Sequence, residues 1–183
     1  MGWREDPLDE LQSELRSAVG NEFRRAAEED EEVARAHRLR SRSLTDVASE
    51  LVSRGDTVQV TFGAERFIGV VVHARGSLAT MRTQDDDEVH LNLEGPVVLR
   101  VTRLATEGGR APDPLGPDSF QARLRQIELE RGMVIVSLPA SGQSVRCRID
   151  AVAADHLMVT DLTDQTWFVP FHQIAAVTKH RAG

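Results

Sequence analysis

Apolar residues recur at helical spacing near the start of the chain. Asp6-Pro7 is a favourable helix start, because proline is tolerated in a first helical turn. Four apolar residues then follow at intervals of three or four positions: Leu8, Leu11, Leu15 and Val19. This spacing places them on one helix face, so the pattern predicts a helical N-terminal extension over residues 1–42 whose apolar face contacts a protein.

The spacing changes after Ser43, which is suited to capping a helix that Gly55 would end. Apolar and polar residues then alternate with the period of two that is typical of half-buried strands. Five strands are predicted, separated by short polar or glycine-containing turns, at 58–62, 67–73, 77–83, 89–93 and 97–103. Short strands with tight turns favour a small barrel, predicted over 43–104.

A second segment repeats this order of patterns. Residues 105–118 are rich in glycine and proline and are predicted to be a linker. Ser119 then begins a helical pattern that Arg131-Gly132 would end, as Arg54-Gly55 ends the earlier one. Five strands are again predicted, at 134–138, 145–152, 156–160, 166–169 and 174–178. We therefore predict a mainly β protein with a long N-terminal helix and two helix-plus-five-strand barrels, the second over 119–183.

Two stretches of the second segment resemble the Sm-like family of SH3-type small barrels. Asp155-His-Leu-Met158 is similar to the end of the first Sm motif, and Trp167-Phe-Val-Pro-Phe-His-Gln-Ile174 is similar to the fourth strand and the entry to the fifth. In the first segment, Gly69 stands where the family often has a small residue in a curved strand. The resemblance implies tandem copies of that fold and a habit of RNA binding. The family's base-binding Asn is replaced by Val159, and its Arg-Gly pair near the fifth strand is missing from both segments.

Charge and composition narrow the function classes. A net charge of −7 disfavours an extended phosphate-binding surface, although a local basic face remains compatible with it. No apolar run approaches the ~20 residues that a membrane span needs. The acidic N-terminus and the single cysteine, Cys147, predict a cytoplasmic protein.

No catalytic or metal motif is evident in the sequence. The six histidines match no zinc spacing, and one cysteine cannot form a thiolate cluster. We therefore predict no enzyme activity, no cofactor, no metal site and no small-molecule substrate. Aromatic side chains near the C-terminus, Trp167 and Phe171, pack in a core or contact a partner chain.

These observations lead to two hypotheses about function. The first is a non-enzymatic adaptor or assembly factor, which binds a protein partner or itself through the N-terminal helix and the barrel edges. The alternative is an RNA-binding or RNA-associated regulator, for which six arginines are candidate contacts: Arg35, Arg38, Arg40, Arg42, Arg75 and Arg82.

Overall fold

The computed structural model describes residues 22, 25, 28, 30–106, 108–109 and 115–179. The chain divides into two compact units, Met1–Arg42 and Ser43–Gly183. In the first unit, residues 30–41 form a helix, α1. The predicted contact residues Leu8, Leu11, Leu15 and Val19 lie outside the described residues.

The second unit begins with α2, Leu44–Arg54, whose ends are those that the sequence predicts. The Ser43 side chain accepts a hydrogen bond from the Asp46 backbone, and the Asp46 side chain accepts one from the Ser43 backbone. Together they form a capping box. Gly55 ends the helix in the left-handed conformation, with φ 74°. Ala48, Leu51 and Val52 are the buried face.

The other helix of this unit, α3, spans Phe120–Glu130 and is capped by Ser119 as predicted. It buries Phe120, Leu124 and Ile127. Its end differs from the prediction, because Arg131, and not Gly132, adopts the left-handed conformation, with φ 53°. A side chain in this region is strained, so α3 ends at a cost that α2 avoids.

Ten antiparallel strands follow the predicted segments closely. Their bounds are β1 Thr57–Phe62, β2 Glu65–Arg75, β3 Leu78–Thr83, β4 Glu88–Asn92, β5 Val98–Arg103, β6 Met133–Leu138, β7 Gln143–Val152, β8 His156–Asp161, β9 Thr166–Pro170 and β10 Ala176–Lys179. They pair in the order β5-β1-β2-β3-β4-β10-β6-β7-β8-β9.

The prediction of two separate Sm-like barrels is wrong. The ten strands form one open antiparallel sheet, because β4 pairs with β10 and joins the two groups of five. Within the described residues there are three α-helices, two near the N-terminus and one in the middle of the chain. Strand lengths and turns are local properties that the sequence carries. The partner of an edge strand is decided by tertiary contacts that strand periodicity does not encode.

The core continues across the junction between β4 and β10. One apolar cluster is built on α3 and β6–β10, and it includes Leu78 from β3. The other is built on α2 and β1–β4, and it includes Ala175 and Ala176 from the far side. Since each cluster takes residues from the other half of the sheet, the two halves pack as one body.

Part of the predicted linker is bound to the first half of the sheet. The Ala105 backbone donates a hydrogen bond to Asp56 Oδ1 at 2.8 Å, and Gly109 N donates to Ser53 O at 2.9 Å. Further along, His73 Nε2 lies 2.8 Å from Pro117 O. Ala105, Gly109 and Pro117 are therefore each hydrogen-bonded to residues of the first half.

Candidate interaction surface

The junction between β4 and β10, which we call the seam, shows how the two halves of this sheet join. Val177 lies opposite His90 and Lys179 lies opposite Glu88. On its other side β10 pairs with β6, so Val177 also lies opposite Val136. The seam strands therefore have a neighbour along both edges, and their side chains are almost entirely buried.

A buried histidine lies at the centre of the seam. His90 is 1% exposed, and its Nε2 accepts a hydrogen bond from Arg123 Nε of α3 at 3.2 Å. Burial, followed by the nearby Arg123 charge, lowers the pKa of His90 to about 3. The ring is therefore neutral with its proton on Nδ1, which donates to Thr80 Oγ1 at 3.1 Å. Arg123 also forms an ion pair with Glu88, at 3.4 Å, so α3 is tied to β4 by polar contacts.

An asparagine at the end of β4 adds a second polar connection. Asn92 Nδ2 donates to the carbonyl oxygens of Phe171 and Ile174, each at 3.1 Å. Its Oδ1 accepts a hydrogen bond from Glu94 N at 3.2 Å. Asn92 therefore fixes the turn between β9 and β10 against the first half of the sheet.

The two outer strands, β5 and β9, each have a neighbouring strand along one edge only, as far as the described residues show. In the described part of the chain, β5 pairs with β1 alone and β9 with β8 alone. On β5, Val98 is 64% exposed and Val101 is 42% exposed. On β9, Phe168 is 67% exposed. Each outer edge thus combines open backbone hydrogen-bonding groups with large apolar side chains, which are the features of a strand that accepts another strand.

The β9 edge is held in place by the hairpin that precedes it. Asp161 accepts hydrogen bonds from Thr163 and Gln165 backbone N–H groups and from Trp167 Nε1, the last at 2.8 Å. Hydrogen bonds from Thr163 and then Trp167 lower the pKa of Asp161 to about 2. The carboxylate therefore stays ionised and keeps Trp167 fixed at neutral pH.

The aromatic residues selected from the sequence are not the exposed ones. Trp167 and Phe171 are partly buried and pack against the second-half core. Phe168, between them, was not selected, although period-two alternation puts it on the face opposite Trp167. The alternation indicates that Phe168 is exposed, because Trp167 and Val169 occupy the face of β9 that packs on the core.

A cleft of about 500 Å³ lies beside Asn92, where loops of both halves meet. Its lining includes Ser77, Glu94, Asp155 and His172. Two carboxylates at this site oppose the binding of a phosphate group. The hydrogen bonds of Asn92 in its wall are to the protein itself, which is consistent with a structural role.

The candidate RNA contacts are not brought into one group. Arg35, Arg38 and Arg40 are exposed on α1, and Arg42 is exposed just after it, all in the first unit. Arg35 and Arg38 line a cleft that also has carboxylates, from Glu28, Glu31 and Glu32.

The remaining two arginines lie at opposite ends of the β2–β3 hairpin, Arg75 near its turn and Arg82 near its open end. Arg82 lies 3.4 Å from Asp86 and 3.8 Å from Glu88. These carboxylates offset its charge, so RNA contact by this set stays a prediction.

Cys147 is fully buried in the second-half core. Burial raises the pKa of its thiol to about 12, so it remains protonated at neutral pH. In the described part of the chain, no group of three or more histidine, cysteine or carboxylate side chains is arranged to hold a metal ion. The helices described there include none long and apolar enough to cross a membrane.

The chain was compared with protein-family models, with curated proteins and with solved structures, and no match was found in any of the three.

Proposed function

We propose that this chain is a non-enzymatic binding protein, an adaptor or assembly factor, that takes a partner strand onto the outer edges of its sheet. The observation that carries the proposal is the pair of open edges, β5 and β9, with Val98, Val101 and Phe168 exposed on them. Proteins usually blunt such edges with prolines, charges or covering loops, because an open apolar edge recruits other chains. Pro170, at the end of β9, lies after the exposed part of that strand.

We further propose that the two halves of the sheet are two copies of one sequence unit. Support comes from their bounds: α2 begins at Leu44 and α3 begins 76 residues later at Phe120. From the second strand of each half onward the separation is 78 residues, as between β4 at Glu88 and β9 at Thr166. The separation increases from 76 to 78 residues at the turn after β6, which the short helix Pro139–Ser141 makes longer than the turn after β1.

Strand addition at an edge suits a binding protein of this composition. Main-chain hydrogen bonds give affinity, while the exposed side chains select the partner. A single buried cysteine supports a reducing, cytoplasmic setting. The N-terminal unit is a second contact element in this proposal. If removing residues 1–42 changes neither the oligomeric state nor any captured partner, that unit has no part in binding.

A photo-crosslinking amino acid in place of Phe168 tests the edge contact in cell extract. We expect crosslinks to specific polypeptides from position 168. The matched control carries the same group in place of Leu129, which is 82% exposed on α3 and away from the outer edges. If both positions give the same crosslinked products, the edge is not a binding surface and the proposal fails.

RNA binding is distinguished from this proposal by filter binding against pooled RNA at low salt. Retention that falls steeply with added salt would point to phosphate contacts and to the arginine set. No retention at low salt excludes that reading and leaves the edge proposal intact.

A further inference from the structure

We infer that the partner of the outer edges is a second copy of this chain, whose β5 pairs with β9 of the first copy in the register of the seam. This inference rests on the proposed binding function and names its partner. Each copy has one β5 edge and one β9 edge, so the association is head-to-tail.

The register is taken from the seam. The seam pairs β4, the fourth strand of the first half, with β10, the fifth strand of the second half. The proposed contact likewise pairs a fourth strand, β9, with a fifth strand, β5. Val177 of β10 lies opposite Val136, the fourth residue of β6, and Leu99 of β5 lies opposite Val60, the fourth residue of β1. At the seam Val177 also lies opposite His90, which is the third residue of β4. The third residue of β9 is Phe168.

Transferring the seam pairing to the outer edges therefore sets Leu99 of one copy opposite Phe168 of the other. Two residues further along, the same register sets Val101 opposite Thr166.

The helices provide an independent match. At the seam, Arg123 donates a hydrogen bond to His90, and Arg123 is the fourth residue after the N-cap Ser119. The fourth residue after the N-cap Ser43 is Val47, which is partly buried against the first-half core. The polar pair of the seam, Arg123 and His90, thus corresponds to an apolar pair between copies, Val47 and Phe168.

This correspondence accounts for the exposure of Phe168. His90 is covered at the seam by α3 and β10. Among the residues that the structure describes, none gives Phe168 such cover, whereas Leu99 and Val47 of a second copy would supply it. In the helix–strand pair both members change together, from Arg123 and His90 to Val47 and Phe168, as a shared interface geometry requires.

Sedimentation velocity of the full chain over a range of concentrations tests the inference. We expect the mean mass to rise with concentration, and Phe168→Glu to weaken association by about tenfold or more, because it buries a charge at the centre of the interface. Leu129→Glu, on α3, is the matched control and should associate as the parent chain does. A parent chain that stays monomeric up to its solubility limit overturns the inference, as does association that Phe168→Glu leaves unchanged.

Cysteine trapping tests the register and does not depend on the folding of Phe168→Glu. Two singly substituted chains, Val101→Cys and Thr166→Cys, are mixed and oxidised. Directly opposed residues have Cα atoms about 4.5–5.5 Å apart, within disulfide range. We expect a mixed disulfide dimer, whereas Val101→Cys with Gln165→Cys, which is one residue out of this register, should couple far less. Equal coupling of the two mixtures contradicts the register and the inference.

The two proposals fail in different experiments. A purified chain that does not self-associate removes the second copy as the partner, while the crosslinking at position 168 in extract still tests binding to another protein. The absence of specific crosslinks there, including crosslinks to the chain itself, removes the binding function and the inference together.

Discussion

The first half of the sheet, β1 to β5, and the second half, β6 to β10, run in the same strand order but carry different side chains at corresponding positions. The seam edge of the first half is polar and buried, with His90 bonded to Arg123. The outer edge of the second half has Phe168 in the corresponding place, and it is exposed. A buried polar group needs its partners within the chain, whereas an apolar group can be left for a partner to cover.

The largest expected effect concerns the second strand of each half, because β2 has Gly69 at the position where β7 has Cys147. Val58 of β1 lies opposite Gly69, while Val134 of β6 lies opposite Cys147. A Cβ at Gly69 would lie 2.1 Å from the carbonyl oxygen of Arg82, so Gly69→Ala should force β2 and β3 apart. We expect a loss of about 3 kcal/mol in the free energy of unfolding, measured in urea.

Gly132→Ala is the control for that substitution. Gly132 has no heavy atom within 4 Å of an added Cβ, and its φ is not positive. We expect a change within about 0.5 kcal/mol. A similar loss in both variants would show that strand contact at Gly69 is not the cause.

The polar side of the contrast is tested by Arg123→Met, which keeps an unbranched apolar stem and removes the guanidinium donors. His90 Nε2 would then be a buried acceptor without a donor, which costs about 1–3 kcal/mol in the free energy of unfolding. Arg125→Met, at an exposed position of the same helix, should change it by less than about 0.5 kcal/mol. Equal effects of the two substitutions would assign the loss to helix propensity and not to the seam.

Acid sensitivity is expected to arise in part from the same histidine. Unfolding returns His90 from a pKa of about 3 to its ordinary value of 6.5, so the unfolded chain binds more protons between these values. Its contribution to stability is complete above pH 6.5 and is lost as the pH falls toward 3. Between pH 7 and pH 5 the loss is about 2 kcal/mol.

His90→Gln should remove that part of the difference in unfolding free energy between pH 7 and pH 5. His37→Gln, at an exposed position of α1, should leave the difference as it is in the parent chain. A parent-like difference in His90→Gln would mean that folding does not lower the pKa of His90.

The smallest effect concerns the ends of the two helices. Arg131 ends α3 with φ 53°, where Gly55 ends α2 with φ 74°. Arg131→Gly should relieve strain and stabilise the chain by about 0.5–1 kcal/mol, seen as a higher Tm. Gly55→Ala should do the opposite, because its Cβ would lie 2.9 Å from Gly109 Cα. A lower Tm for Arg131→Gly would contradict this account of the helix end.

Local features of the fold were predictable from the sequence because they depend on neighbouring residues. Ser43 and Ser119 cap their helices, and all ten strands lie where alternation predicts them. The end of α3 differs from the prediction, because Arg131 and not Gly132 adopts the left-handed conformation, although glycine takes it at a lower cost. The sequence predicts contacts through the N-terminal helix and the barrel edges and points to Trp167 and Phe171, whereas the exposed aromatic residue of β9 is Phe168.

The amino-acid sequence by itself determined the helices, the strands and their order along the chain, because caps and hydrophobic periodicity act over a few residues. Only the tertiary structure decided that β4 pairs with β10, since this contact joins segments more than 80 residues apart and depends on how α3 packs across both. That pairing turned two expected barrels into one sheet. It buried β4 and β10 inside the sheet and left β5 and β9 as its two outer strands.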